Sequence, residues 1–255
     1  MISDAATSEG GLVSVSGIPQ TGWNSSDGEW FERTGISEGP AEPDSAGLAA
    51  GTIPVYFPKG SLLFLEGQSA TGVFLLRTGR AKESMSSNSG RTAIVRVLGP
   101  GVVLGLPAVL ANSYHESTVE TLEPCCADFL AKAVFLHMLK NSCRLGVVVA
   151  SQLSRECREA YASVRRLALS GTTSGRLAQL VLRWAEFPLA NLEQNAAKRR
   201  FRVILTQAEI GQLLGTTRET TSRTLQEFRE KGWIATKGCV WTITNEVAIR
   251  DLAAL

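Results

Sequence analysis

Between Ile53 and about Leu130, apolar and polar positions alternate in short runs. "VYFPKG", "SLLFLEGQ", "GVFLLRTG" and "TAIVRVLGPG" each have strand length and carry glycine at or near their ends. Gly60, Gly67, Gly72, Gly79, Gly90, Gly99, Gly101 and Gly105 recur at turn spacing, which predicts an antiparallel barrel or jelly roll. From near Ala131 past Leu169 the period becomes helical. Within that stretch Ala150, Leu153, Cys157, Ala160, Val164 and Leu167 fall at alternating steps of three and four, with Arg155, Glu156, Arg158, Glu159, Arg165 and Arg166 beside them. A parallel helix pair across a two-fold axis would bury such a heptad seam, and packing on the chain's own barrel is the competing use of the same stripe.

"SGTTSG" breaks that helix and marks a domain boundary; Thr172 or Thr173 is placed to cap the next helix, "GRLAQLVLRWAEF", in which Leu177, Leu180, Val181 and Trp184 share a face. A basic strand, "KRRFRVIL", then leads into "TQAEIGQLLGTTRETTSRTLQEFREKGW", and "GWIATKGCVWTIT" reads as a hairpin with Lys237 and Gly238 at its turn. Thr206 is a cap for a short helix through Leu214, and Thr216 with Glu219 is a capping box for a second helix running to about Lys231. Gly215 supplies the turn, Gly211 is small where the helices cross, and Ile210, Leu213, Leu214, Leu225 and Phe228 fill the space between them. Thr217, Arg218, Glu219, Ser222 and Arg223 remain outward on the second helix. Such side chains suit a DNA major groove: arginine forks match guanine O6 and N7, glutamate accepts from cytosine N4, and hydroxyls reach phosphates or base edges.

Charge sharpens this reading. Residues 1–51 hold eight acids against the single base Arg33, are rich in Gly, Ser, Glu and Pro, and show no sustained period, so a disordered acidic arm is expected. Lys198 to Gly238 hold nine bases against four acids although the formal net charge of the chain is only +2, and clustering of that kind favours a polyanionic partner. Five cysteines, Cys125, Cys126, Cys143, Cys157 and Cys239, show no repeated spacing, so neither a metal site nor a disulfide framework is expected and a reducing cytoplasm is. No signal segment or membrane-length apolar run is present in the sequence. No phosphate loop, dinucleotide-binding glycine fingerprint, zinc-protease helix or nucleophile elbow occurs, so an enzyme is not expected.

"TQAEIGQLLGTTRETTSRTLQEFREKGWI" resembles the winged helix-turn-helix of the Crp/Fnr family of bacterial transcription regulators, and the barrel and long helix are similar to the rest of that family's plan. The resemblance covers about residues 53–255 and implies an α+β fold: an antiparallel β-roll or jelly-roll sensor domain over 52–140, a long dimerisation helix over 141–170, and a winged helix-turn-helix over 171–255. It implies a homodimer on an inverted repeat of double-stranded DNA, with RNA polymerase as a candidate partner and no membrane. On the family's motif Arg218, Glu219 and Arg223 fall at base-reading positions, while Thr206 and Thr217 are phosphate contacts. Ser222 matches the Fnr branch and the Arg218-Glu219 pair the Crp branch, leaving TGTGA-like and TTGA-like half-sites both open. Lys198, Arg199, Arg200, Arg202 and Lys237 are expected on the DNA backbone.

The same resemblance locates an effector pocket. Cyclic-AMP-binding members present a Gly-Glu pair for the ribose and an Arg-Ser pair for the phosphate; here Gly105 is followed by Leu106, and Glu116 precedes Ser117. No Lys or Arg lies between Gly105 and Val119, and near Ala160, Tyr161 and Ala162 the family's adenine-binding hydroxyl pair has no counterpart. The expectation is a degenerate pocket at Gly105, Leu106, Glu116, Ser117 and Tyr161, a signal other than a cyclic nucleotide, and no bound cofactor. A cyclic-AMP-responsive regulator, haem through His115 or His137, redox control through Cys157 at the seam, and a ligand- or protein-docking module without DNA binding are the alternatives.

Overall fold

The computed structural model describes residues 52–169, 172–186, 191–195 and 198–254, with the side chains of 166–169, 186, 191–195 and 198 excepted. The arm expected at 1–51 and the seam position given to the Leu167 side chain lie outside the described residues.

The glycine-punctuated runs form β1 (Thr52–Phe57), β2 (Leu62–Phe64), β3 (Gly72–Thr78), β4 (Ala81–Ser86), β5 (Thr92–Leu98), β6 (Val103–Leu104), β7 (Thr118–Thr121) and β8 (Cys125–Ala131), with a short helix α1 (Leu106–Ala111) after β6. They make two antiparallel sheets, ordered β1-β8-β3-β6 and β2-β7-β4-β5. β3 lacks a clean alternation because both its faces are covered: Leu76 packs between the sheets with Phe64 and Val119, while Val73 and Leu75 pack toward the helices that follow.

The helical region, continuous by its period, is broken at Ser142. α2 (Lys132–Asn141) ends at Ser142, which is extended, and α3 (Cys143–Leu169) leaves at 113° to it. Ser142 caps the new helix by accepting from the Leu145 amide at 3.2 Å. On α3, Leu145, Val148, Val149 and Gln152 are buried, and Leu153 packs against the same core. Cys143, Val147, Ala150, Ser154, Cys157, Tyr161 and Val164 are exposed at steps of four and three. Of the expected seam positions, Ala150, Cys157 and Val164 lie on this exposed stripe, whereas Leu153 packs against the barrel core. Ala160 is exposed but borders a cleft beside the barrel instead of the centre of the open face.

Beyond Thr172, which caps through the Gly175 amide at 3.0 Å, come α4 (Thr173–Glu186), β9 (Asn191–Asn195), β10 (Lys198–Arg202), α5 (Gln207–Leu214), α6 (Arg218–Glu230), β11 (Ile234–Lys237), β12 (Val240–Ile243) and α7 (Glu246–Ala253). The sheet order is β11-β12-β10-β9. This unit sits on the barrel's second sheet: Ile94 of β5, only 4% exposed, joins the core of Leu177, Ile210, Leu225 and Phe228. Lys82 of β4 pairs with Glu209 of α5 at 2.7 Å.

Candidate nucleic-acid interface

The reading surface depends on how α5 and α6 cross. Thr206 caps α5 in a full capping box: its hydroxyl accepts from the Glu209 amide at 3.3 Å, and the Glu209 carboxylate accepts from the Thr206 amide at 2.8 Å. Gly215 ends the helix at φ 66°, a left-handed conformation that glycine adopts without strain. At the crossing, a side chain on Gly211 would begin 3.0 Å from the Thr216 carbonyl oxygen and 3.1 Å from Thr221 Oγ1. Ile210, Leu213, Leu214, Leu225 and Phe228 are buried between the helices, and the Thr221 and Thr224 hydroxyls donate to carbonyls one turn back, so that they too can face inward.

The second cap differs from the expected Thr216 and Glu219 box. Thr217 is the cap residue, accepting from the Thr220 amide at 3.2 Å, and no reciprocal bond from Glu219 completes a box. Sliding the start by one residue keeps the outward set. Thr217, Arg218, Glu219 and Arg223 are exposed and Ser222 is half-buried, all on the first turns of α6. Hydrogen bonds from its own amide and from Thr217, with Arg218 nearby, hold the Glu219 carboxyl below the usual range, so it is an ionised acceptor at neutral pH. The other end of α6 is spent internally: Lys231 pairs with Glu227 at 2.6 Å and lies 4.7 Å from the Trp233 ring centre.

Around this helix, Thr206 at the start of α5, Arg202 at the end of β10 and Lys237 beside the β11–β12 turn are exposed. Arg199 is 3.2 Å from Glu246 of α7, so its charge is partly engaged within the domain. The Lys198 side chain lies outside the described residues.

The expected effector residues have different surroundings. Leu106 is fully buried in the barrel core and Gly105 caps α1, close to His115. Glu116 is exposed, and Tyr161 is 71% exposed on the open face of α3. Only Ser117 faces polar company, donating to Glu83 at 2.5 Å. That contact leads to Glu83, Arg96 and Gln152, which the sequence did not single out, and to Glu156, expected only as a charge beside the seam. Burial works against the Arg96 charge, and the Glu83 and Glu156 carboxylates outweigh it and raise its pKa. His115, stacked on Phe64 at 3.8 Å, has its pKa lowered by burial against an opposing pull from Glu83. Cys125 is buried, its thiol pushed up to about 11 chiefly by burial, and its neighbour Cys126 is partly exposed, as an in-and-out strand pair should be. Among the described residues, no group of three or more His, Cys, Asp or Glu could hold a metal ion, and no single helix is long and apolar enough to cross a membrane.

Two family models match this architecture. Residues 54–142 match the cyclic nucleotide-binding domain and residues 175–255 the Crp-like helix-turn-helix domain. The chain is 25% identical over 213 residues to the CRP-like cAMP-activated global transcriptional regulator of Mycobacterium tuberculosis, covering 82% of this chain and 92% of that one. It is 28% identical over 207 residues to the fumarate and nitrate reduction regulatory protein of Escherichia coli, covering 76% of each. The structure of FixK2 from Bradyrhizobium japonicum superposes with a TM-score of 0.70 at 20% identity, covering 80% of this chain and 98% of that one.

Proposed function

The chain belongs to the Crp/Fnr family of transcription regulators, DNA-binding proteins without enzymatic activity, and from that premise we propose that it acts as a homodimer on an inverted-repeat operator. One observation carries the proposal: Arg218, Glu219 and Arg223 stand exposed together on the first turns of a helix whose opposite side is fixed by the Gly211 crossing. A second copy against the open face of α3 would pair Val147, Ala150, Ser154, Cys157, Tyr161 and Val164 with themselves. The two α6 helices would then enter successive major grooves about 34 Å apart. Arg218 and Arg223 are assigned to guanine edges, Glu219 to cytosine, and Thr206, Thr217, Arg202 and Lys237 to the backbone.

Selection from a randomised duplex pool tests this directly. The expected result is a symmetric motif with half-site centres about 10 base pairs apart, and retention that falls steeply as potassium chloride is raised. A pool with no symmetric enrichment, retained equally at all salt concentrations, would overturn it.

A further inference from the structure

Six residues from five segments of the barrel and α3 form one largely half-buried polar relay. Ser117, just before β7, donates to one carboxylate oxygen of Glu83 on β4, and Arg96 Nε of β5 donates to the other. The Arg96 guanidinium also lies 3.2 Å from Glu156 of α3. Gln152, one turn back, donates to Glu156 at 3.0 Å and clasps the Val103 backbone of β6 through both its amide groups, at 2.6 and 3.0 Å. The charged side chains are 13 to 16% exposed. A cleft of about 290 Å³ opens beside them, bordered by Leu153, Cys157 and Ala160.

This relay joins the sensor barrel to the long helix through β4, β5 and β6. It already contains its own cation and engages the Ser117 hydroxyl. Glu159 and Arg183, 3.4 Å apart, line the same cleft, so three carboxylates face two guanidinium groups and a phosphate placed there would meet excess negative charge in a partly dry site. We propose that the Ser117–Glu83–Arg96–Glu156–Gln152 relay substitutes for a bound effector, tying the barrel to α3 through the chain's own charges and excluding cyclic nucleotides. Arg96 is then a positioning residue: it touches no DNA, yet it sets the helix from which both reading heads hang. The inference rests on the dimeric DNA-reading function proposed above.

The test uses the full chain, shown nucleotide-free by absorbance and mass spectrometry, with a duplex recovered from the selection. Fluorescence anisotropy should give the same affinity with and without millimolar cyclic AMP or cyclic GMP. Arg96→Met should weaken specific binding by about 5- to 150-fold, the usual span of coupling between sites, and hydrogen exchange should accelerate in α3 from Gln152 to Tyr161. Glu156→Gln preserves shape and hydrogen-bonding capacity while removing the charge, so it guards against a simple folding defect and should move both readouts less, in the same direction. Affinity that rises with either nucleotide overturns the proposal, as do folded Arg96→Met and Glu156→Gln proteins that match the original in both assays. If the original protein binds no duplex at all, the DNA-reading function falls instead; the relay is then judged on exchange alone, and unchanged exchange overturns it.

Discussion

Replacing Lys82 with methionine measures how firmly the reading head is seated on the barrel. Lys82 Nζ lies 2.7 Å from Glu209 and 3.2 Å from Glu120, with Lys82 and Glu209 side chains 14% and 17% exposed. Fully exposed ion pairs contribute about 0.2–1 kcal/mol, whereas removing one partner of a fully buried pair costs about 3–5 kcal/mol. Here Glu209 keeps its bonds from Thr206, which soften the loss, so a coupling of about 1–2 kcal/mol is expected, between those limits. A double-mutant cycle of Lys82→Met and Glu209→Gln, followed by urea unfolding, isolates it. Glutamine at the third helical position retains a capping acceptor, so the cap is not lost with the charge. Coupling below about 0.3 kcal/mol, within the usual additivity error, would refute the reasoning. The pH dependence gives a second check. Burial alone would raise the Glu209 pKa, but Lys82 and Thr206 more than reverse this and lower it. Its contribution is therefore complete above the ordinary carboxylate value of about 4.3 and lost as pH falls through the depressed folded value. Burial opposes the Lys82 charge, yet Glu209 and Glu120 raise its pKa, so that contribution is complete below about 10.4 and lost as pH rises through the folded value. The coupling should be flat between about pH 5 and pH 10 and collapse on either side.

Arg218→Ala and Arg223→Ala should each cost about 1–3 kcal/mol of specific binding and relax preference at one base step, while Lys237→Ala should weaken all sequences alike and lower the salt slope by about one; anisotropy across a mutated-site panel separates the two behaviours. Gly211→Val forces a branched side chain against the Thr216 carbonyl, and thermal melting should register about 1–3 kcal/mol of destabilisation together with lost DNA binding. Tyr161→Glu places a charge on the open face of α3 and should shift native mass spectra from dimer to monomer with the fold intact. Leu145→Ala, on the opposite, fully buried face, should instead cost about 2–5 kcal/mol of folding stability.

What the sequence made legible was local. Thr206, Gly211 and Gly215 could be placed in advance because capping and turn chemistry operate within a few residues. Even there, two adjacent threonines are chemically equivalent candidates, and the start of α6 moved from Thr216 to Thr217. α7 was missed although Asn245, which accepts from the Ala248 amide, is a cap signal; the helix is only eight residues long, too short for periodicity to stand out. The inward packing of Leu153 was not legible for a different reason. A helix with two apolar stripes does not declare which one its own chain will cover, and Leu153 went to the barrel core. The relay was invisible for the strongest reason: Arg96–Glu83, Ser117–Glu83 and Gln152–Val103 join positions 13, 34 and 49 residues apart, and each member alone is an ordinary polar residue.

Ile94 is a strand residue of the sensor that completes the interior of the reading head. A graft of residues 172–254 onto a foreign sensor would thus carry an uncovered hole where that side chain belonged. The two halves of this regulator are not interchangeable parts, and a chimera will need a matching aliphatic plug before it can be trusted to behave as either parent does.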